Sequence, residues 1–252
     1  MTYCLAISVE DGLVFCSDSR TNAGVDNIST YSKLHSFGFD GERQFVLLSA
    51  GNLATTQAVV NQLKSDIKKA VPVNLMTVAN LDDAADYVGQ VNQAMQMKQT
   101  GGGPAFEASF IIGGQVWGSK PRLHMVYPAG NHITTSADTP YLQIGESKYG
   151  KPILDRILSP KSSLDTAALC ALVSMDSTMR SNLTVGPPID VLVYERDSFS
   201  LNRRYRFQDD SEYLRLIKKN WDAFLKDAFK KLPPIAWGPT WDQEAEGRTG
   251  NT

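Results

Sequence analysis

The sequence predicts an α+β fold, a four-layer αββα sandwich of two antiparallel sheets with a helix pair on each outer face and an extra C-terminal helix. Two observations lead to this prediction. Strand-like and helix-like segments come in blocks, in the order strands, two helices, strands, two helices, strands. Such blocks indicate stacked layers rather than alternating β-α-β units. Tight-turn sequences between neighbouring strands indicate antiparallel hairpins.

The first block of strands forms two hairpins. Strand candidates lie at residues 3–9, 13–17, 33–39 and 44–50. Glu10-Asp11-Gly12 joins the first pair and Asp40-Gly41-Glu42 joins the second, and both are tight-turn sequences. We expect a polar loop over residues 18–24 between the two hairpins.

Two helices follow each of these blocks. The first two are expected where apolar residues recur at helical spacing, at residues 52–70 and 82–99. The second half repeats the order, with strand candidates at residues 108–112, 123–126 and 141–144. Its helices are expected at residues 149–158 and 165–178, before a last strand at residues 189–194. We therefore expect one domain over residues 1–208.

One more helix is expected in a C-terminal extension over residues 209–236. Asp209-Asp210-Ser211 is a helix-capping signal. The helix carries a partly aromatic apolar stripe, formed by Tyr213, Ile217, Trp221, Phe224 and Leu225. Two interpretations stay open, because this stripe can pack on its own domain or bury a contact with another subunit. Residues 237–252 turn polar, and we expect them to be disordered.

The composition is that of an ordinary globular protein of 252 residues, 42% hydrophobic and 21% charged, with a net charge of −2. The near-neutral charge argues against nucleic acid as a partner. The sequence has no run of about 18 apolar residues and no secretory signal, so we expect no membrane association and a cytoplasmic location. Three cysteines without a CxxC pair indicate buried free thiols in a reducing compartment, at Cys4, Cys16 and Cys170.

The histidine content bears on which chemistry is available. The three histidines, His35, His124 and His132, form no pair at metal-ligand spacing. We therefore expect neither a zinc site nor a Ser-His-Asp triad, and no cofactor.

Thr2, which directly precedes the first strand candidate, offers a nucleophile that needs no histidine. Removal of Met1 leaves a hydroxyl and a free α-amine on this one residue. An α-amine titrates at about 7.7–8.0, which suits a general base at neutral pH. Threonine with its own α-amine is one of the activated nucleophiles of enzymes.

Three further features stand at strand ends near the N-terminus. Asp18 closes the second strand candidate, and Lys33 opens the third. Ser49-Ala50-Gly51 closes the fourth and leads into a helix. Together with Thr2 and the order of the layers, these features indicate a catalytic constellation.

These segments resemble the proteasome β-subunit family of N-terminal nucleophile hydrolases. The resembling stretches are residues 2–9, 11–20, 32–34, 47–51, 110–114 and 126–130. Within that family the chain is most similar to the bacterial ancestral β-subunit (Anbu) branch, through residues 1–4, 19–28, 48–56 and 145–155. The resemblance runs from Thr2 to about Arg196 and leaves the C-terminal extension outside it.

The resemblance implies a role for each matching residue. Thr2 is the nucleophile, with its α-amine relaying the proton through water. Lys33 places an ammonium beside the hydroxyl, favouring the alkoxide and keeping the amine neutral, and Asp18 holds Lys33 in position. The N–H of Gly51 supplies the oxyanion hole. The specificity pocket is expected from Thr21, Ser49 and Leu53.

The chain departs from the family pattern at two places near Thr2. Where the family has a Ser-Gly pair, this sequence has Gly145-Glu146-Ser147. Either the carboxylate changes the local electrostatics, or Ser147 serves after a small loop shift. The family's Asp-x-x-Ser-Gly before the last core strand is missing. Asp176 lies earlier, and the nearest equivalent is Ser181-Asn182-Leu183-Thr184-Val185-Gly186.

The sequence therefore predicts a threonine-type amidohydrolase that acts on peptides or isopeptides inside a homo-oligomeric ring or helical shell. One alternative is a hydrolase of small non-peptide amides such as γ-glutamyl compounds. The other is a non-catalytic shell component. The expected partners are further copies of this chain and an amide substrate, and an ATPase or operon partner stays open.

Overall fold

The computed structural model describes residues 1–22, 28–98 and 104–235. Within these residues the strands form two five-stranded antiparallel sheets and one two-stranded ribbon. The predicted layered α+β sandwich is confirmed. Residues 237–252, for which the sequence predicts disorder, lie outside the described residues.

The described elements follow the predicted order. The first half contains β1 (Tyr3–Val9), β2 (Gly12–Asp18), β3 (Arg20–Asn22), β4 (Ile28–Thr30), β5 (Leu34–Phe39), β6 (Arg43–Gly51), α1 (Leu53–Lys68) and α2 (Leu81–Lys98). The second half contains β7 (Ala108–Val116), β8 (Arg122–Val126), β9 (His132–Thr134), β10 (Tyr141–Gly145), α3 (Lys151–Ile157), α4 (Leu164–Ser181), β11 (Ile189–Glu195), β12 (Arg203–Phe207) and α5 (Glu212–Lys230).

The two sheets differ in how the chain builds them. The first has the order β10-β1-β2-β11-β12, so strands from both ends of the domain lie side by side. The second has the order β5-β6-β7-β8-β9, in which sequence neighbours pair. Helices α1 and α2 pack on the second sheet, and α4 packs on β1, β2 and β11 of the first.

Buried apolar side chains cover both faces of the second sheet. One layer of them lies between the second sheet and α1 and α2, and the other layer lies between the two sheets. On β6, Phe45 and Leu47 belong to the first layer, whereas Val46 and Leu48 belong to the second. This is the two-residue alternation of a strand, and it turns Ser49 toward the helical side.

The structure contains strands that the sequence pattern does not predict. β3 and β4 pair as a separate ribbon. The prediction of a polar loop over residues 18–24 is therefore wrong for residues 20–22 and for Asp18, which ends β2, and residues 23–24 lie outside the described residues. Strands of three residues, such as β3, β4 and β9, are too short to show an alternating pattern. β12 is an edge strand whose side chains are almost all exposed, and it contains three arginines, so burial imposes little pattern on it.

Residues 1–215 form one compact unit, and a second unit begins at Leu216 within α5. The capping signal is used as predicted, since the Leu214 N–H donates to the Ser211 hydroxyl over 3.4 Å. None of the residues of α5 is buried. Its exposed large apolar side chains are Tyr213, Leu216, Phe224, Leu225 and Phe229.

The three cysteines are free and buried, as predicted. Burial raises the pKa of each thiol, at Cys4, Cys16 and Cys170, so the thiols stay protonated and unreactive. None of the helices in the described ranges has both the length and the apolar character needed to cross a membrane.

Candidate active site

A cavity of about 730 Å³ lies where the start of β1, the end of β6 and the N-terminal half of α1 meet. Most of the site residues predicted from the sequence line it: Thr2, Thr21, Lys33, Ser49, Gly51 and Leu53. The remaining one, Asp18, is fully buried behind Lys33. The structure therefore brings all of these residues to one place.

Thr2 lies at the edge of the cavity, directly before β1, and backbone contacts hold it there. Its carbonyl oxygen accepts a hydrogen bond from the Glu146 N–H at 2.7 Å. Gly145 has a φ of +81°, and a Cβ at this position would lie 2.0 Å from the Thr2 carbonyl oxygen. Glycine is required there because any side chain would displace Thr2.

The Asp18 carboxylate accepts hydrogen bonds from three separate segments of the chain. Its Oδ1 accepts hydrogen bonds from the Tyr3 N–H at 3.0 Å and from Lys33 Nζ at 2.7 Å. Its Oδ2 accepts from the Gly186 N–H at 3.3 Å. Burial raises the pKa of Asp18 above its ordinary value, and the Lys33 ammonium and the two N–H donors oppose that rise. The ion pair with Lys33 is therefore what keeps a charged carboxylate at this depth.

Lys33 lies just before β5 and is only 6% exposed. Its Nζ donates to Asp18 Oδ1 and to the Arg20 carbonyl oxygen, both at 2.7 Å. The Lys33 carbonyl oxygen in turn accepts from the Ser49 N–H at 3.1 Å. These contacts fix an ammonium in the cavity wall beside Thr2, where it favours negative charge on a nearby oxygen.

Gly51 ends β6 with a backbone conformation that only glycine adopts easily. Its φ is +115°, and an added Cβ would lie 2.4 Å from the Glu107 carbonyl oxygen. The chain then turns directly into α1, whose N-cap Asn52 accepts from the Thr55 N–H at 3.1 Å. Gly51 therefore brings the backbone to the cavity with no side chain in between, which an oxyanion-binding N–H requires.

The outer wall of the cavity is a face of α1 that the sequence pattern does not mark as functional. It presents Thr56, Gln57, Val60, Asn61 and Lys64 at helical spacing. A mixed polar face of this kind looks like an ordinary solvated surface until β6 and Ser49 are placed opposite it. Spacing alone therefore could not have identified it.

His35 also lines the cavity and was not predicted as a site residue. Burial, together with the nearby cations of Lys64 and Arg204, lowers its pKa from 6.5 to about 4. The imidazole is therefore neutral at physiological pH, whereas Lys33 and Lys64 present cations to the cavity.

The two segments that depart from the family pattern meet in the structure. Glu146 lines the cavity, and its Oε2 accepts a hydrogen bond from Asn182 Nδ2 at 3.1 Å. Asn182 Oδ1 accepts from both the N–H and the hydroxyl of Thr184, at 3.0 and 2.6 Å. Ser147 and Ser181 are not among the residues that line the cavity. Of Glu146, Ser147 and Ser181, the one that lines the cavity is thus a glutamate and not a serine.

The described part of the chain holds no group of three or more His, Cys, Asp or Glu side chains placed to bind a metal ion. His124 and His132 do meet, with their Nδ1 atoms 3.1 Å apart, but on β8 and β9 and not in this cavity. The cavity brings together hydroxyl groups, the buried Lys33 ammonium, the Glu146 carboxylate and backbone N–H donors.

Comparison with known proteins gives a consistent result. The family model described as "Proteasome subunit" matches residues 2–194. The structure of Anbu (ancestral beta-subunit) from Yersinia bercovieri is 49% identical with a TM-score of 0.90, covering 94% of this chain and 100% of that one. The Anbu (Gly-1) mutant from Hyphomicrobium sp. strain MC1 is 47% identical with a TM-score of 0.89, covering 94% and 100%.

A third structure, titled "Helical Assembly of the Anbu Complex from Pseudomonas aeruginosa", is 47% identical with a TM-score of 0.89 and covers 94% of this chain and 99% of that one. A search of curated proteins finds no match.

Proposed function

The chain belongs to the proteasome-subunit family and to its ancestral β-subunit (Anbu) branch, and on that premise we propose that it is an N-terminal threonine hydrolase of amide bonds. One observation carries the proposal. The Lys33 ammonium, fixed by Asp18 at 2.7 Å, lines the same cavity as Thr2 and Gly51. A hydroxyl, a cation and a glycine backbone at one cavity are the parts that acyl transfer needs.

The first half of the reaction forms an ester on Thr2. After removal of Met1, which is 63% exposed, the α-amine takes the hydroxyl proton as Thr2 Oγ1 attacks the substrate carbonyl carbon. The Lys33 charge stabilises the developing alkoxide and keeps the amine neutral. The Gly51 N–H donates to the oxyanion of the tetrahedral intermediate. The intermediate then breaks the C–N bond, and the α-ammonium returns its proton to the leaving amine.

The second half releases the acid. Water attacks the ester carbonyl carbon while the α-amine takes one of its protons, and Gly51 again donates to the oxyanion. Collapse breaks the bond to Thr2 Oγ1, which recovers its proton from the α-ammonium. The enzyme is then as it began, and the net reaction is hydrolysis of one amide.

We propose an extended peptide as the substrate. The cavity is bounded by Thr21 on β3 and by the Ser49–Gly51 end of β6, so an extended chain can lie between two strand segments and use their backbone groups. Its volume of about 730 Å³ accommodates a side chain with its flanking backbone. Lys33 is paired with Asp18, and Lys64 and Glu146 line the same cavity with opposite charges, so the wall favours a polar side chain.

Self-association completes the proposal. The relative from Pseudomonas aeruginosa is titled as a helical assembly, and we propose that this chain also assembles with copies of itself. The exposed apolar side chains of α5, which include Phe224 and Phe229, support a subunit contact. The three free, buried cysteines support the reducing, cytoplasmic location expected from the sequence.

Mass spectrometry of the purified protein tests the proposal. The intact mass is expected to lack Met1, and an electrophilic β-lactone probe is expected to acylate Thr2, as located by peptide mapping. Thr2→Ala is expected to abolish both acylation and peptide hydrolysis without changing the melting temperature. Equal labelling of parent and Thr2→Ala protein would remove Thr2 from the mechanism. If protein isolated from cells retains Met1, the chain is a non-catalytic shell component. If it turns over only small amides, it is a hydrolase of small non-peptide amides.

A further inference from the structure

Glu146 is a carboxylate beside Thr2 that the mechanism above does not use. Its backbone N–H donates to the Thr2 carbonyl oxygen at 2.7 Å. β10 ends at Gly145, which lies opposite Tyr3 of β1 and has a φ of +81°, so Glu146 is the first residue after the strand at its end next to Thr2. Thr2 and Glu146 line the same cavity.

The carboxylate of Glu146 is held in place from behind. Asn182 Nδ2 donates to Glu146 Oε2 at 3.1 Å. The amide of Asn182 is oriented by Thr184, whose N–H and hydroxyl both donate to its Oδ1. The amide therefore turns its NH₂ toward Glu146. An ionised carboxylate has about four acceptor positions, so one amide donor leaves capacity for an N–H from the cavity side.

Resting on the function proposed above, we propose that Glu146 is the positioning residue of the catalytic base: its carboxylate accepts an N–H of the Thr2 α-amine. A neutral amine has two N–H bonds and one lone pair. Directing one N–H at Glu146 turns the lone pair toward the Thr2 hydroxyl on the same residue, which is the orientation that proton transfer needs. Asn182 and Thr184 support this contact and do not touch the amine.

The charges around the amine predict how Glu146 acts on its titration. Lys33 and Lys64 present cations to the cavity, the Asp18 carboxylate lies behind Lys33, and His35 is neutral. The cations lower the pKa of the α-amine, and the anion of Glu146 raises it. Glu146 thus offsets the effect of Lys33 and Lys64, and the pKa of the amine stays high enough for it to accept the hydroxyl proton.

The decisive measurement is the pKa of the Thr2 α-amine itself, obtained without turnover. The protein is produced as a ubiquitin fusion cleaved before Thr2, and the rate of α-amine acetylation by acetic anhydride is followed against pH by peptide mapping. Glu146→Gln is expected to lower this pKa by about one unit and to lower kcat. The acid limb of the pH–rate profile is expected to shift to lower pH by the same amount. Glu146→Asp, which keeps the charge, is expected to restore most of the shift.

Glu195→Gln is the matched control, because it removes the same charge at the far end of β11, roughly 20 Å away. It is expected to leave the amine pKa unchanged. An unchanged amine pKa in Glu146→Gln would overturn the inference, whatever the activity. If the amine pKa shifts but the parent protein does not hydrolyse peptides, Glu146 is supported as the partner of the amine and the proposed peptide hydrolase is contradicted.

Discussion

Tyr3 and Lys33 donate to the same atom: the Tyr3 N–H lies 3.0 Å and Lys33 Nζ 2.7 Å from Asp18 Oδ1. The backbone that carries Thr2 and the ammonium beside it are therefore positioned by one carboxylate oxygen. Any change at Asp18 moves both at once, which couples the geometry of the nucleophile to the ion pair.

A double-mutant cycle at Asp18 and Lys33 should separate stability from activity. Asp18→Asn leaves the Lys33 ammonium buried without its partner, and we expect a loss of about 3–5 kcal/mol in the free energy of unfolding. Lys33→Met costs less, because burial already raises the pKa of Asp18 and the carboxyl can take up a proton. The double variant is expected to recover stability through a favourable coupling energy, yet to stay inactive. Urea unfolding measures stability, and peptide turnover measures activity. If the losses in unfolding free energy of the two single variants simply add in the double variant, the coupling is contradicted.

Gly51→Ala should destabilise the fold by more than a positive φ alone explains. Its Cβ would lie 2.4 Å from the Glu107 carbonyl oxygen at a φ of +115°. Gly118→Ala is the matched control, since Gly118 has a φ of +80° but no atom within 4 Å of a built Cβ. We expect about 1 kcal/mol for Gly118→Ala and at least about 3 kcal/mol for Gly51→Ala. Equal losses by denaturant titration would mean that the backbone at Gly51 moves aside freely.

His35 should make the protein less stable in mild acid. Its pKa is lowered from 6.5 to about 4 by burial and by Lys64 and Arg204, so the unfolded chain takes up the proton first. The stability associated with neutral His35 is complete above about pH 6.5 and is lost as the pH falls toward 4. The loss is at most about 3 kcal/mol. His35→Gln is expected to lose correspondingly less stability between pH 7 and pH 4 in urea unfolding, and parallel curves would refute this.

Phe224→Glu on α5 should reduce the size of the assembled particle. Phe224 is 66% exposed on the apolar stripe, so a charge there costs the monomer little but would be desolvated in a subunit contact. Lys219→Glu serves as the control, because Lys219 is exposed and lies about 140° around the same helix. Analytical ultracentrifugation is expected to show smaller species for Phe224→Glu alone. An unchanged particle would show that α5 lies outside the subunit contacts.

The layers of the sandwich and the positions of the candidate catalytic residues could be predicted from patterns that extend over short stretches of sequence. Alternation and helical spacing are properties of ten or twenty consecutive residues, and the strand ends that carry Asp18, Lys33 and Gly51 follow from them. Burial enforces these patterns, so β1, β2 and β6 are found within a residue of their expected bounds. The mostly exposed β12 and the three-residue strands escaped prediction because little burial acts on them.

What the sequence by itself determined is the sandwich, the free thiols and the residues around Thr2, because each depends on local periodicity or on a motif. Only the tertiary structure decided that Glu146 meets Asn182, 36 residues away, and that the polar face of α1 closes the cavity over Ser49. These contacts arise from the register of β10 on β1 and from the packing of α1 on β6. Such pairings are set by the burial of whole sheets, and no local spacing along the chain records them.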